Sequence, residues 1–312
     1  LTSEDIGYEN GVLGGVVSAM NVLCSKGDTI LVHSPTYIGF TNSLTNAGYR
    51  LAHSPLVQDE EGVWRMDYED MARQIKKYNI HAAIFCSPHN PTGRVWEREE
   101  IKRAFEVYRE HDVFVVADEI WADLTLFDHQ HIPTQTISED ARNRTIALYA
   151  PSKTFNLAGL VGSYHVVYNK YLRDRLLKES SLSHYNTPNI LSVEALIGAY
   201  SETGAAWVDE LKQVLSKNVR YAVDFIRDRF EGVNIQVPEG TYLLLIDCKN
   251  WCEAHGKSLD ELQLRGVEYG VIWQDARPFH YSYGIRMNLA LPYSQVVEAM
   301  ERLDRYVFNG EW

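Results

Sequence analysis

The chain has 312 residues, a formal net charge of −12 and a composition of 45% hydrophobic and 23% charged residues, which is typical of a soluble globular protein. This length can bury a large core and predicts two domains. The negative charge argues against nucleic acids and anionic membranes as partners, no apolar run approaches transmembrane length, and no signal peptide is visible.

The first two-thirds of the chain alternates strand-like and helix-like stretches. Helical patterns at 68–78 and 97–111 lie between apolar runs that have the length and the β-branched or aromatic content of strands. The predicted strands are 29–33, 81–86, 113–118, 146–149 and 163–168. Such strands predict an α/β fold with a large domain, residues 1–204, in which helices sandwich a mainly parallel sheet. Sites in such sheets collect at the carboxyl ends of the strands.

From about residue 205 the pattern changes. Apolar residues recur at three- and four-residue spacing from Trp207 to Phe230, which predicts a long amphipathic helix. Short strands are predicted at 233–237 and 242–247, followed by a helix, a strand at 284–289 and a final helix from about Ser294. We therefore predict that residues 205–312 form a linking helix and a smaller α+β domain.

The four cysteines do not suggest a disulfide framework. Cys24 and Cys86 lie in apolar surroundings and are predicted to be buried free thiols. Cys248 and Cys252 have no second Cys or His pair at zinc-finger spacing, so no metal site is predicted. His129 and His131, beside Pro133, are predicted to be turn residues. Free thiols favour a reducing compartment, and we expect the cytoplasm.

Two features of the first forty residues could serve a ligand. Gly11 precedes an apolar helix, so the backbone N–H groups of Val12 and Leu13 would point outward at its positive end and could bind a phosphate. A glycine before a helix is also common without any ligand. Tyr37, in "SPTY" after the first predicted strand, could stack on an aromatic ring.

Two polar residues follow the next predicted strands. In "SPHNPTG", Pro88 and Pro91 stiffen the backbone around Asn90, whose amide could donate a hydrogen bond to a ligand oxygen. The alternative is a structural turn. Asp118 ends the run "VFVVAD", and a buried carboxylate there needs a charged or hydrogen-bonding partner. The alternative for Asp118 is a loop or helix-capping role.

Two cations stand in apolar surroundings. Lys153, in "YAPSKTFNLAGLVG", follows an apolar strand, and desolvation would lower its pKa so that the free amine could form a Schiff base. Its alternative is a solvated loop lysine. Arg286 interrupts the apolar strand "YGIRMNLA", where a guanidinium suits bidentate capture of a carboxylate. Its alternative is a structural ion pair.

Together these features predict one cofactor. A Schiff-base lysine, a carboxylate for a pyridinium nitrogen, helix-end N–H groups for a phosphate, a ring-oxygen donor and a stacking aromatic ring are what pyridoxal 5′-phosphate (PLP) requires. The sequence therefore predicts a PLP-binding protein with Lys153 at its centre.

The sequence also resembles the fold-type I PLP enzymes of the class I/II aminotransferase family along almost its whole length. "NPTG", "DE" after an apolar strand, "SK" and "RMNLA" occur in the family's order. "SPHNPTGRVW", "DEIWADL", "HIPTQ", "APSKTFNLAGL" and "PEGTYLLLIDC" resemble the cystathionine β-lyase (C–S lyase) branch more closely.

The resemblance assigns a role to each candidate. It implies that Lys153 forms the Schiff base with the cofactor, Asp118 pairs with the pyridinium nitrogen and Asn90 donates to the ring hydroxyl oxygen. It also implies that Tyr37 stacks on the ring and that Arg286 takes the substrate α-carboxylate. The implied phosphate contacts are Val12, Leu13 and Ser152.

This sequence departs from the family at three positions. Trp121 stands three residues after the aspartate, where relatives carry Tyr or His. The resemblance implies that Trp121 contacts the cofactor, but an indole N–H can donate a hydrogen bond and cannot accept one. Ala150 replaces a phosphate-binding Ser, and Val161 stands where many aminotransferases place a phosphate-binding Arg. The predicted phosphate site is therefore less cationic than in aspartate aminotransferase.

The expected activity is C–S β-elimination from cystathionine or a related cysteine S-conjugate, giving a thiol, pyruvate and ammonia. An amino acid aminotransferase would use the same residues, so it stays open as an alternative. A PLP-binding regulatory or interaction protein is the alternative from another class. The resemblance further implies a homodimer, an amino acid substrate and an N-terminal arm that precedes Leu1 in the relatives.

Overall fold

The computed structural model describes residues 1–183 and 187–312, with seven strands in one sheet and four in another. The strands of the large sheet are β1 (Ile6–Asn10), β2 (Thr29–Ser34), β3 (Arg50–Pro55), β6 (Ala82–Cys86), β7 (Phe114–Asp118), β8 (Thr145–Tyr149) and β9 (Gly162–Val166). Between β3 and β6 lies the short hairpin β4 (Val57–Gln58) and β5 (Trp64–Arg65). The small sheet contains β10 (Asn234–Ile235), β11 (Leu243–Asp247), β12 (Gln274–Asp275) and β13 (Gly284–Asn288).

Eleven α-helices are found among the described residues. They are α1 (Val12–Leu23), α2 (Ile38–Asn46), α3 (Tyr68–Tyr78), α4 (Arg98–Glu110), α5 (Glu139–Arg144), α6 (Lys170–Ser183), α7 (Ile190–Ala199), α8 (Glu202–Arg229), α9 (Lys249–His255), α10 (Leu259–Glu268) and α11 (Tyr293–Leu303). Five of them, α3, α5, α7, α8 and α10, begin after a residue whose side chain accepts a hydrogen bond from the first turn, such as Asp67 before α3 and Ser201 before α8. Helix α1 instead begins at Gly11, which has no side chain to offer.

The large sheet has the order β1-β9-β8-β7-β6-β2-β3. Strands β3, β2, β6, β7 and β8 are parallel, and β9 and β1 are antiparallel additions at one edge. The predicted α/β class with a mainly parallel sheet is confirmed. The small sheet is antiparallel throughout, with the order β10-β11-β13-β12.

Both faces of the large sheet are buried, as near-continuous apolar strands predict. Val32, Ile84 and Val116 pack on one face with α1 and α2. Leu31 and Phe85, which lie next to Val32 and Ile84 in sequence and face the other way, pack on the other face of the sheet with α3 and α4. A third core lies between α8, α11 and the small sheet. The buried layers hold the carboxyl ends of β2, β6, β7 and β8 side by side.

Five strands were not predicted from the sequence: the edge strands β1 and β3 of the large sheet and the two-residue strands β4, β5 and β12. β1 and β3 each mix buried, partly buried and exposed residues instead of forming an apolar run. The predicted strand 163–168 is present as β9 but antiparallel, and the predicted strand 233–237 is reduced to the two residues of β10.

Candidate active site

One cavity of about 390 Å³ lies where the parallel strands end and the small sheet approaches them. Its volume lies within the range of about 300–1,000 Å³ that is usual for small-molecule sites. All nine residues predicted from the sequence line it: Val12, Leu13, Tyr37, Asn90, Asp118, Trp121, Ser152, Lys153 and Arg286. Residues that are up to 274 positions apart in sequence therefore share one cavity.

Lys153 is held four positions beyond the end of β8. Its Nζ forms no hydrogen bond or ion pair within the described part of the chain and lies 5.8 Å from the centre of the Trp121 ring. Burial lowers the pKa of Lys153, and the positive charge of Arg286 lowers it further, although Asp118 opposes both. The amine is thus biased toward its neutral, nucleophilic form.

Asp118 is the last residue of β7 and is only 4% exposed. Its Oδ1 accepts a hydrogen bond from the backbone N–H of Ile120 at 3.1 Å. Burial raises the pKa of Asp118 to about 7, against the effects of the Ile120 hydrogen bond and the Lys153 charge. A carboxylate in this state would be stabilised by a cationic ligand group placed beside it.

Asn90 and Arg286 form a direct contact between the two sheets. The Nη1 of Arg286 donates to Oδ1 of Asn90 at 2.7 Å, and its Nη2 donates to Gln274 on β12. Since the oxygen of Asn90 is engaged, its Nδ2 amide remains to donate into the cavity. The guanidinium also lies 4.7 Å over the ring of Phe279. Both side chains are therefore oriented before any ligand arrives.

Two aromatic side chains form walls of the cavity. Tyr37 packs edge to face against Phe40, with ring centres 5.5 Å apart. A side chain at Gly39 would collide with Tyr37, because an added Cβ would lie 2.3 Å from its Cε1 atom. Trp121 is 3% exposed and packs edge to face on Tyr242 at 4.7 Å. Its indole N–H has no partner among the residues described, so it remains a donor.

The first turn of α1 also faces this cavity. Gly11 has a φ of 78°, which suits glycine, and an added Cβ there would lie 3.1 Å from Cγ1 of Val161. The N–H groups of Val12 and Leu13 have no carbonyl partner within the helix, as for any helix start, and the described hydrogen bonds give them no other. Ser152 lies in the same wall, and its hydroxyl is likewise unpaired in the described chain.

Val161 has an unusual backbone. It is 46% exposed and has a φ of 57°, a left-handed conformation that is strained for a β-branched residue. It lines the cavity beside Gly11 at the start of α1, so the position at which a phosphate-binding arginine is missing from the sequence lies next to the predicted phosphate site.

Sequence reasoning missed three residues of the site. Tyr242 and Asn288 line the cavity, and Gln274 orients Arg286. Tyr242 and Asn288 lie within "PEGTYLLLIDC" and "RMNLA", stretches already noted for their resemblance, so a signal existed. Gln274 lies on a two-residue strand that carries no comparable pattern.

The arrangement suits chemistry on an α-amino acid. An amine of lowered pKa, a buried carboxylate of raised pKa, an amide donor and a fixed guanidinium face one space, next to a helix start able to bind an anion. Within residues 1–183 and 187–312, no group of three or more His, Cys, Asp or Glu side chains is placed to hold a metal ion.

Comparison with known proteins agrees with this geometry. Residues 1–303 match the family described as "Aminotransferase class I and II". The chain belongs to this family. It is 32% identical over 269 residues to cystathionine beta-lyase PatB of Bacillus subtilis (strain 168), an alignment that covers 86% of this chain and 68% of that one.

Two solved structures extend the similarity of this class I and II family member. A PLP-bound protein of Clostridium difficile 630, described as an aminotransferase, superposes on this chain with a TM-score of 0.93 at 33% identity. The alignment covers 99% of this chain and 79% of the Clostridium difficile chain. Cystalysin of Treponema denticola, which contains a pyridoxal 5′-phosphate cofactor, has a TM-score of 0.91 at 28% identity, with 97% and 76% covered. As for membranes, no helix in the described ranges combines the length and apolarity that a crossing requires.

Proposed function

We propose that this protein is a PLP-dependent C–S β-lyase, which acts on cystathionine or a related cysteine S-conjugate and releases a thiol, pyruvate and ammonia. The observation that carries the proposal is the unpaired amine of Lys153, which shares one cavity with Asp118 and Arg286. The similarity to a cystathionine β-lyase and to cystalysin supports the lyase reaction over others of the family.

The cavity's side chains fit PLP by their donor and acceptor chemistry. The unpaired N–H groups of Val12 and Leu13, with the hydroxyl of Ser152, match a phosphate. Asp118 matches a protonated ring nitrogen, and the free amide hydrogens of Asn90 match a ring oxygen. Tyr37, held in place by Phe40, offers a flat surface for stacking. We propose these roles for them, with the phosphate bound without any arginine or lysine.

When bound, PLP supplies an aldehyde that condenses with amines and a ring that accepts the electron pair left on a substrate Cα. Arg286 would bind the α-carboxylate and so orient the Cα–H bond toward Lys153. The Nζ of Lys153 would remove the Cα proton, and its lowered pKa, caused mainly by burial, favours the unprotonated amine that this step needs. Asp118 would keep its ring-nitrogen partner protonated throughout.

The bond that breaks next decides between lyase and aminotransferase. In the lyase, the Cβ–S bond breaks with its electron pair on sulfur, a proton gives the thiol, and water converts the remaining fragment to pyruvate and ammonia. In an aminotransferase, Lys153 would instead return the proton away from the substrate Cα, water would release the keto acid, and the amino group would be kept by the cofactor for transfer to a second keto acid. The similarity to the Clostridium difficile protein favours this second candidate.

A substrate panel on PLP-loaded protein tests the proposal. Cystathionine and other cysteine S-conjugates are supplied with and without a keto acid, and pyruvate, thiol and new amino acid are measured. Pyruvate and thiol in equal amounts without a keto acid support the lyase. Strict dependence on a keto acid contradicts the lyase and supports the aminotransferase.

Arg286 should determine substrate affinity more than turnover. Arg286→Lys keeps the charge but loses the planar fork, so KM for cystathionine should rise by about 10- to 100-fold, which corresponds to about 1.5–3 kcal/mol for a hydrogen bond to a charged group. We expect kcat to change much less. Steady-state kinetics check this, with Arg277→Lys, which alters an arginine paired to Asp260 and Asp275, as the matched control. An unchanged KM would remove Arg286 from substrate binding.

Val161 offers a gain-of-affinity test of the phosphate site. Val161→Arg places a cation beside the start of α1 and removes a β-branched residue from a left-handed conformation. The affinity for PLP should rise by roughly threefold to tenfold, as expected for a partly exposed charged hydrogen bond. Binding is measured for PLP and for pyridoxal, which lacks the phosphate. Only PLP should respond, and Val161→Leu should show no gain.

We also propose that the chain forms a homodimer. Ile190, Leu191 and Ile197 on α7 are each more than 60% exposed, and Trp207 on α8 is 44% exposed. An apolar surface of this kind favours association with a partner. Sedimentation equilibrium of the wild type and of Leu191→Asp tests this proposal: a monomeric wild type contradicts it.

Two further proposals concern organisation and location. We propose a large domain of residues 1–204 and a small domain of residues 205–312, in keeping with the two sheets. We propose a cytoplasmic location because Cys24, Cys86, Cys248 and Cys252 are all free thiols.

A further inference from the structure

A second carboxylate lies next to Asp118 on the chain but outside the cavity lining. Glu119 is 1% exposed, and four donors cover both of its oxygens. Oε1 accepts hydrogen bonds from the N–H and hydroxyl of Thr134 at 2.9 and 2.7 Å. Oε2 accepts from Nε2 of His131 at 2.7 Å and from the hydroxyl of Tyr149 at 2.6 Å. Although burial raises the pKa of Glu119, these bonds bring it below its ordinary value.

These hydrogen bonds link the end of β7, which carries Asp118, to the end of β8, which precedes Lys153. Tyr149 is the last residue of β8 and precedes Lys153 by four positions. The backbone N–H of Glu119 donates to the carbonyl of Leu148 on the same strand at 3.0 Å. His131 and Thr134, which lie in the segment between β7 and α5, form the other hydrogen bonds to the carboxylate. His131, predicted only as a turn residue, is therefore part of a buried network.

We propose that Glu119 is a positioning residue: it fixes Asp118 relative to Lys153 through Tyr149, and its negative charge acts on the neighbouring carboxyl of Asp118. Two adjacent buried carboxylates repel each other unless each has a partner. Glu119 has four fixed donors, whereas Asp118 has one backbone donor and the cavity. A cationic group in the cavity would therefore stabilise the carboxylate of Asp118. This inference rests on the proposed function.

A purely structural carboxylate provides the matched control. Glu9 on β1 is 2% exposed and pairs with Nδ1 of His165 at 2.8 Å, so it is also a buried Glu–His pair of the large sheet. It does not line the cavity. Glu119→Gln and Glu9→Gln should both lower the melting temperature, because each leaves donors without an ionised acceptor.

Kinetics of the PLP-loaded protein give the first measurement. Glu119→Gln should lower kcat by roughly 10- to 100-fold with KM changed less than about threefold, since an effect on reacting groups appears in kcat. Tyr149→Phe, which removes the side-chain hydrogen bond from β8 to Glu119 and keeps the backbone bond to Leu148, should lower kcat by about twofold to tenfold. Glu9→Gln should leave kcat unchanged. The inference is overturned if Glu119→Gln behaves like Glu9→Gln, or, should Glu119→Gln not fold, if Tyr149→Phe leaves kcat unchanged.

A double-mutant cycle on the cofactor-free full chain gives a second measurement that needs no activity. At pH 8, Asp118→Asn should raise the melting temperature because it removes a buried charge. In the Glu119→Gln background this gain should shrink by at least about 2 °C, because the neighbouring charge is gone. In the Glu9→Gln background it should be unchanged. Equal gains in all three backgrounds overturn the inference, whereas a wild type that binds no PLP contradicts only the proposed function.

Discussion

Lys153→Ala is expected to lower turnover of cystathionine by roughly 10⁴-fold, the upper end of what a positioned proton-transfer group contributes. The reason is that no other amine lines the cavity among the described residues, so none can replace the Nζ of Lys153. Steady-state pyruvate release measures the loss. In the wild type, borohydride treatment followed by mass spectrometry should place a stable PLP adduct on Lys153, and the variant should carry none.

An exposed lysine provides the control for this prediction. Lys170 forms an ion pair with Asp174 on the surface of α6, and Lys170→Ala should leave both turnover and the adduct unchanged. Turnover within about tenfold of the wild type in Lys153→Ala would show that Lys153 is not the base. A wild type without turnover, whose partner binding survives Lys153→Ala, would instead support a regulatory protein.

Asp118→Asn is expected to lower kcat by roughly 10²- to 10³-fold, the range for loss of one preorganised electrostatic group. An amide cannot balance a positive ring nitrogen, so the site loses the charge that favours protonation there. Affinity for PLP should fall as well. Kinetics and PLP titration check both effects, and a kcat within twofold of the wild type would contradict the assigned role.

Although Asp118→Asn should lower the activity of the PLP-loaded protein, it should stabilise the cofactor-free protein. Burial raises the pKa of Asp118 from its ordinary value of 3.8 to about 7, so the folded state holds this proton more tightly than the unfolded state. Asp118 therefore makes the fold less stable as pH rises from about 4 to about 7. Asp118→Asn should raise the melting temperature above pH 7 and lose that advantage near pH 4. Asp140→Asn should instead lower the melting temperature above pH 7 and lose that effect in acid, because the hydrogen bond from Arg144 holds the pKa of Asp140 below its ordinary value.

The parts of the fold that the sequence predicted correctly are those with a strong local pattern. Strands β6 and β7 are buried on both faces, so they appear as apolar runs, and the polar residues that follow them mark the edge where the site lies. The edge strand β3 lacks this pattern because only two of its six residues are buried. The sequence also did not predict the antiparallel pairing of β9, because its residue pattern resembles that of the parallel strands.

The site was predicted as a set of residues but not as a set of contacts. Asn90 and Arg286 could each be proposed from their own surroundings, yet the hydrogen bond between them joins positions 196 residues apart. Glu119 was passed over because its side-chain partners lie 12 to 30 positions away: His131 and Thr134 belong to "HIPTQ", which was noted only as a resemblance, and nothing local links that stretch to Glu119. Only the folded chain shows which donors a buried carboxylate has.

The contact of Arg286 with Asn90 and Gln274 has a consequence for selectivity. A guanidinium has five N–H donors, and two are engaged in holding it still, which leaves three for an incoming anion. The entropy of ordering this side chain is therefore lost during folding and not on ligand capture. Short carboxylic acids without an amino group should consequently compete with amino acids for the site, whereas amines without a carboxylate should enter it poorly.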